Sequence, residues 1–315
     1  MNRTQKRLVG AGIALAGAGA GLAIANRLLL LDDLPPTLPG AMHDWRWRGW
    51  RVRYTTMGSG SPVVLVHGIH AAASSYEMRN IFEPLSHGHT VYALDLPGFG
   101  KSERPDALYT GDLYATVLAD FLAEVVGEPA AVIASSLSAA YALTVASERP
   151  ELVSQLVLIS PVSQTDAGPA ARTIGRLLAT PLLGTAMFNV LVSHASIQTF
   201  LRRVYADPAC VDEPLVGQHR ATAHQPNARF APAAFVAGAL DLNISGLSGL
   251  VAAPILVLRG TVPGLGTQLS DACLSSLSSR VEIQTISGAG QVPHDEAPDQ
   301  VLAILEPWLR ATPEH

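Results

Sequence analysis

Six short runs of β-branched and aliphatic residues recur along the chain and set what it can fold into: PVVLVHG (62–68), TVYALDLPG (90–98), PAAVIAS (129–135), LVSQLVLIS (152–160), PILVLRG (254–260) and VEIQTIS (281–287). Each is apolar on both faces, which fits a parallel strand covered by helices on either side and not a half-exposed antiparallel one. Between the runs the apolar residues switch to helical spacing, as in Leu113, Val117, Leu118, Phe121 and Leu122, and again in Val301, Leu302, Leu305 and Leu309. Such stripes give amphipathic helices with one face for a sheet, and Pro307 is expected to end or kink the second. The alternation predicts an α/β fold: a mostly parallel, twisted sheet with helices on both faces. WRVRYTTMG (50–58) adds an earlier, antiparallel strand.

The strand rhythm stops near Pro161 and resumes at Ala253, leaving Ala-, Leu- and Val-rich sequence without strand alternation. Residues 162–245 are expected to form a helical lid above the carboxyl ends of the strands, where ligands of such sheets bind, with 50–161 and 246–315 forming the core. Ahead of the core, DLPPTLPG (33–40) has three prolines in eight residues, and 32–49 reads as an extended spacer. Residues 1–31 carry Arg3, Lys6 and Arg7 before an uncharged run from Leu8 to Ala25 and then Leu28–Leu31, and Asp32 and Asp33 follow. That charge asymmetry is expected of a membrane anchor or an export signal, with the folded body outside the cytoplasm. The run is long enough to span a bilayer, and Ala23-Ile24-Ala25 also fits a small-x-small cleavage site, so anchor and cleaved signal both stand, beside a third option, a buried or mobile N-terminal helix.

Composition removes several classes of partner. A net charge of −5 and a pI near 6.0 give no basic surface for neutralising phosphates, so nucleic acid is not an expected partner. Cys210 and Cys273 cannot form a disulfide framework or a Cys-rich zinc site. GFGKS (98–102) imitates the end of a phosphate-binding loop, but Asp95 stands where that loop needs glycine and Pro97 removes a backbone donor. It is expected to be a tight turn after a strand. His194, His219 and His224 lack metal-ligand spacing with carboxylates and are expected to pack or face solvent. No cofactor and no metal is expected.

Chemistry concentrates in two stretches. In AVIASSLSAAYAL (131–143) a strand pattern turns directly into a helical one, with Ala134 and Ser138 flanking Ser136. A nucleophile on a strained strand-to-helix turn needs small residues two before and two after it, because strand and helix nearly touch there. A serine capping a helix start would read the same way. In VHGIHAAASS (66–75) a His-Gly pair follows the first long strand, placing the Ile69 N–H where it and the Leu137 N–H would converge on an oxyanion.

Taken in order, VVLVHG, DLPGFGKS, the turn at Ser136, ASERPELVSQLVLISP, the helical insertion and GAGQVPHDEAPDQV resemble the α/β-hydrolase family from about residue 50 to the end. The resemblance implies hydrolysis of a small apolar ester, thioester or amide by Ser136, with Ile69 and Leu137 as the oxyanion hole. It argues against the dehalogenase and epoxide-hydrolase branches, which use aspartate in place of Ser136. Two departures follow. The family acid sits in a G-x-x-D turn that here reads Gly260-Thr261-Val262-Pro263, and its Gly-His reads Gly290-Gln291. Glutamine cannot take a proton from serine. The candidate replacements are His294, about one helical turn late, as the base, His70 in the loop bordering the pocket as a second base or a substrate-binding residue, and Asp166 as the acid. His67 is read as holding its own turn. The alternative is a protein that kept the pocket for binding or scaffolding and lost turnover.

Overall fold

The computed structural model describes residues 19–31, 34, 38–165, 167–262, 264 and 267–311. Eight strands form one sheet: β1 (Ala41–Trp47), β2 (Trp50–Met57), β3 (Pro62–Val66), β4 (Thr90–Asp95), β5 (Ala130–Ser135), β6 (Val153–Ile159), β7 (Ile255–Gly260) and β8 (Val281–Ile286). Their order is β1-β2-β4-β3-β5-β6-β7-β8. The pairs β1/β2 and β2/β4 are antiparallel and the rest parallel. All six apolar runs are strands. β1 was not foreseen: residues 41–47 fell in the expected spacer, yet Arg48 and Gly49, both at positive φ, close a two-residue hairpin turn that brings Ala41–Trp47 back along β2.

Twelve helices complete the chain among the described residues: α1 (19–28), α2 (Arg79–Ser86), α3 (Gly111–Phe121), α4 (Ser138–Glu148), α5 (Pro169–Leu178), α6 (Leu183–Leu191), α7 (His194–Val204), α8 (Glu213–Ala223), α9 (Phe230–Val236), α10 (Asp271–Leu277), α11 (Pro293–Glu296) and α12 (Pro298–Arg310). Because side chains alternate across a strand, Val64 and Val66 face one layer, with α3, α4 and α10, while Val63 and Leu65 face the other, with α2 and α12. That double burial is why central runs such as β3 and β5 are apolar throughout, whereas β8, at the sheet edge, is partly exposed and carries Glu282 and Gln284. Helix α12 does not stop at Pro307 but continues to Arg310. Pro307 has no N–H to give to the carbonyl one turn earlier, so the helix runs through it with one bond of its ladder missing.

The stretch between β6 and β7 holds α5–α9 and its own apolar cluster around Phe188, Ile197, Leu201, Leu215 and Val216. Helix α1 rests on it. Asn26 Nδ2 donates to the Leu182 carbonyl at 3.0 Å, Asn189 Nδ2 donates to Asn26 Oδ1 at 3.0 Å, and the Leu31 N–H donates to the His224 carbonyl at 3.0 Å. Residues 1–18, with the start of the apolar run, lie outside the described residues. No single described helix is long and apolar enough to cross a membrane.

Candidate active site

In the strand order the chain reverses direction between β3 and β5, and the carboxyl ends of these neighbours are where a doubly wound sheet opens a crevice. Gly68 and Ile69 follow β3, and Ser136 follows β5. A cavity of about 280 Å³ lies there, walled by Ile69, Leu137, Val162, Phe200, Val204 and Phe235, with Ser136 among its lining residues.

Ser136 sits at φ 54°, a left-handed conformation that costs a non-glycine residue about 1 kcal/mol or more. Its surroundings hold it there. The Ser136 N–H donates to the Ile159 carbonyl at 2.8 Å, and its carbonyl accepts from Ala139 and Val162, each at 3.2 Å. Ser138 Oγ donates to the His67 carbonyl at 2.7 Å, tying the start of α4 to the end of β3. A Cβ on Gly68 would stand 3.3 Å from Ser136 Cβ, a tight contact that glycine avoids where the two turns meet. Among the described residues neither the Ile69 nor the Leu137 N–H donates to a protein acceptor. These two donors and the serine together are what an acyl-transfer site needs for its developing oxyanion.

His67 is fully buried and holds the turn. Its Nε2 accepts from the Leu96 N–H at 3.2 Å, which leaves Nδ1 to donate to the Gly68 carbonyl at 2.7 Å. The GFGKS stretch is likewise a turn. Asp95 accepts from the Ser75 N–H at 2.7 Å and the Lys101 N–H at 2.8 Å, and Gly100, at φ 49°, leaves room for that carboxylate.

Gln291 lines the cavity, with its N–H on the Val204 carbonyl at 2.9 Å. A Cβ on Gly264 would lie 2.6 Å from Gln291 Cβ, so the loops after β7 and β8 meet as an acid–base pair would require. His294 is elsewhere. It is fully buried in α11, is not among the cavity-lining residues, and has its Nε2 3.3 Å from Glu77 Oε1, an electrostatic contact without hydrogen-bond alignment. Val292 and Asp295 on either side of it line the cavity, and His294 reaches that wall only through Glu77. Asp166 lies outside the described residues. His70 lines the cavity beside Phe200 and stacks on His219, with ring centroids 5.4 Å apart.

Two lining groups escaped sequence reasoning. Glu77 follows the loop after β3, and its Oε2 accepts from the Gly68 N–H at 3.0 Å. Burial would raise its pKa, but His294 and a hydrogen bond with Ser135 outweigh that and hold it at about 2, so it is anionic at neutral pH. The second is His219, expected to pack or face solvent, which the fold of α8 turns into the cavity. Burial lowers the His219 pKa to about 4, and burial together with the His219 ring lowers that of His70 to about 3, so both are neutral at pH 7. His219 Nδ1 donates to the Leu215 carbonyl at 2.9 Å, making Nε2 its basic nitrogen, whereas His70 Nδ1 accepts from the Ala72 N–H at 3.3 Å and so carries its proton on Nε2. The pair Glu77 and His294 marks no spacing motif; the packing of the turn Ser75–Met78 against α11 brings it together. Next to it Asp295 is bound by Arg79 at 2.8 Å and by the Tyr205 hydroxyl, and burial raises its pKa despite the arginine. Among the described residues no cluster of three or more ligating side chains could hold a metal.

Known proteins agree with this architecture. A 2-hydroxy-6-oxo-6-(2'-aminophenyl)hexa-2,4-dienoic acid hydrolase of Metapseudomonas resinovorans is 36% identical over 113 residues, 35% of this chain and 39% of that protein. The match thus spans well under half the length of that relative. A haloalkane dehalogenase of Agrobacterium fabrum is 25% identical over 283 residues, 83% of this chain and 89% of the relative. A solved serine hydrolase involved in carbazole degradation shares the fold at TM-score 0.71 and 22% identity, covering 86% of this chain and 99% of that one. The profile of the alpha/beta hydrolase family matches residues 63–304, and with the sheet order and the turn at Ser136 this makes the chain a member of that family.

Proposed function

We propose that the chain is a slow hydrolase of a small, largely apolar ester, thioester or amide, with Ser136 as nucleophile and residues 162–245 as the lid over its pocket. The observation that carries this is the left-handed Ser136 beside the Ile69 and Leu137 N–H groups in a mainly apolar cavity. Ser136 Oγ attacks the acyl carbon, the two N–H groups hold the oxyanion, and the alcohol, thiol or amine leaves with a proton; water then releases the acid. With Gln291 in the usual base position, His219 is the cavity imidazole whose Nε2 is free of a proton, while His70, carrying its proton on Nε2, is a donor toward bound substrate. A base with pKa near 4 gives up about 3 kcal/mol of driving force against an ordinary imidazole, so turnover is low. The relatives named above are hydrolases, which favours hydrolysis over a lyase reaction.

Gln291, together with the Glu77 carboxylate close to the oxyanion site, favours a second reading, a pocket kept for binding. Hydrolysis of short p-nitrophenyl esters separates the two. The first reading expects a slow rate that Ser136→Ala abolishes and His219→Ala lowers; no hydrolysis above the uncatalysed rate leaves only binding, and a rate unchanged by Ser136→Ala refutes Ser136 as nucleophile. The N-terminal run, continued by α1, is read in the same proposal as holding the chain at a membrane.

A further inference from the structure

Eleven of the fifteen large apolar side chains exposed among the described residues fall in two segments, 24–31 and 174–191. They include Ile24 at 61%, Leu28 at 80%, Leu183 at 55% and Val190 at 72% exposed. The two segments form one surface, because Asn26 bridges the Leu182 carbonyl and the Asn189 side chain. Between α1 and α6 runs an open groove of about 600 Å³ walled by Leu22, Ala25, Leu29, Ala186 and Val190. An exposed apolar area of this extent marks an interaction site and not ordinary surface.

Its chemistry selects the partner. From Pro169 to Leu191 the chain has no aspartate or glutamate, and its only charges are Arg172 and Arg176, both exposed beside Ile174 and Leu177. Segment 19–31 is also free of acids and carries Arg27. Apolar side chains flanked by arginines and lacking acids suit the boundary between lipid headgroups and acyl chains, with the arginines reaching back to anionic headgroups. Helices α5 and α6 are together long and apolar enough to span a bilayer, but they are bent by 111°, so they cannot cross one as a single rod and can lie in its surface. The uncharged run that ends in α1 begins at Leu8, after Arg3, Lys6 and Arg7, so the same lipid phase would receive both. On their other side these helices reach the cavity: Gly175 of α5 packs on Ala233 and Ala237, and α9 contributes Phe235 to the cavity wall.

We propose that the outer face of α5 and α6, with the end of α1, lies on an anionic bilayer, so that the lid stands between the lipid phase and the Ser136 cavity and the substrate is an ester or thioester dissolved in the membrane. The substrate class rests on the hydrolase reading; the docking face does not. The test uses the full chain with Cys210 and Cys273 replaced by serine and an environment-sensitive fluorophore on Val190→Cys, or on Ser59→Cys at the opposite end of the sheet. Vesicles of phosphatidylcholine with phosphatidylglycerol carry nitroxide-labelled acyl chains. The expected result is a vesicle-dependent blue shift at 190 and quenching there several-fold stronger than at 59. Equal, weak quenching at both sites in chain that floats with the vesicles overturns the docking face while leaving an N-terminal anchor in place. A blue-shifted probe at 190 before vesicles are added overturns it too, since residues 1–18 or a second copy would then cover the patch. Failure to float defeats the face and the anchor together, and esterase activity in detergent reports independently on the hydrolase reading.

Discussion

Replacing Gln291 by histidine should convert a poor catalyst into a recognisable one. Its side chain lines the cavity with Ser136, its backbone is fixed by the 2.9 Å bond to Val204, and histidine has similar bulk, so the ring should enter the same space. A positioned general base contributes about 10²- to 10⁴-fold, or about 3 to 5 kcal/mol. Histidine alone lacks an acid to orient its ring, which places Gln291→His at the low end, at about 10²-fold. Gly264 meets Gln291 across the loop, and Pro263 precedes Gly264 in the chain, so adding Pro263→Asp should bring the gain to about 10³-fold or more. The assay is the acylation rate with p-nitrophenyl butyrate at pH 7.5, with Gln291→His/Ser136→Ala as control. A folded Gln291→His protein within threefold of the parent, or a gain that survives loss of Ser136, would refute the placement of the serine relative to residue 291.

Three further outcomes follow from the geometry. Glu77 Oε2 and Ser136 Cβ lie 3.2 Å and 3.3 Å from one point, the absent Cβ of Gly68, so an anion stands close to the oxyanion site. Its repulsion at about 6 Å in an effective dielectric of about 20 is about 3 kcal/mol, and Glu77→Gln should speed Ser136 acylation by about ten- to a hundredfold, read by stopped-flow with the same ester. Acid should destabilise the fold in two stages, because every shift concerned is downward. Above pH 6.5 His70 and His219 are neutral folded or unfolded; as pH falls toward their folded values near 3 and 4 the unfolded chain binds more protons, and each costs about 1.4 kcal/mol per pH unit. Glu77 adds its loss below pH 4.5, and urea unfolding across pH 4 to 7 should show a shallower slope in His219→Gln. Ser136→Gly relieves the left-handed strain and should stabilise the protein by about 1 kcal/mol, raising the melting temperature by about 2 °C while abolishing activity.

The central strands and the elbow were legible because their signals are local: double-sided burial makes a run such as Val63–Val66 apolar throughout, and Ala134 and Ser138 are small because strand and helix touch. β1 was hidden beside prolines, since its exposed, polar face carries no burial pattern and only the Arg48-Gly49 turn specifies it. Glutamine at position 291 could be read directly, but the groups that share its cavity could not. Glu77 meets His294 only through the packing of α11 on the turn Ser75–Met78, and His219 reaches the cavity from α8, which packs on α7. Histidines with no partner in sequence carry no signal of where a helix between β6 and β7 will point them.

The central claim is that Ser136 is a competent but poorly served nucleophile, and fluorophosphonate labelling of the full chain, with the modified peptide located by mass spectrometry, tests it most directly. The account predicts slow adduct formation on Ser136 that is absent in Ser136→Ala and faster in Gln291→His. No adduct after prolonged exposure, or one that persists in Ser136→Ala, would contradict it.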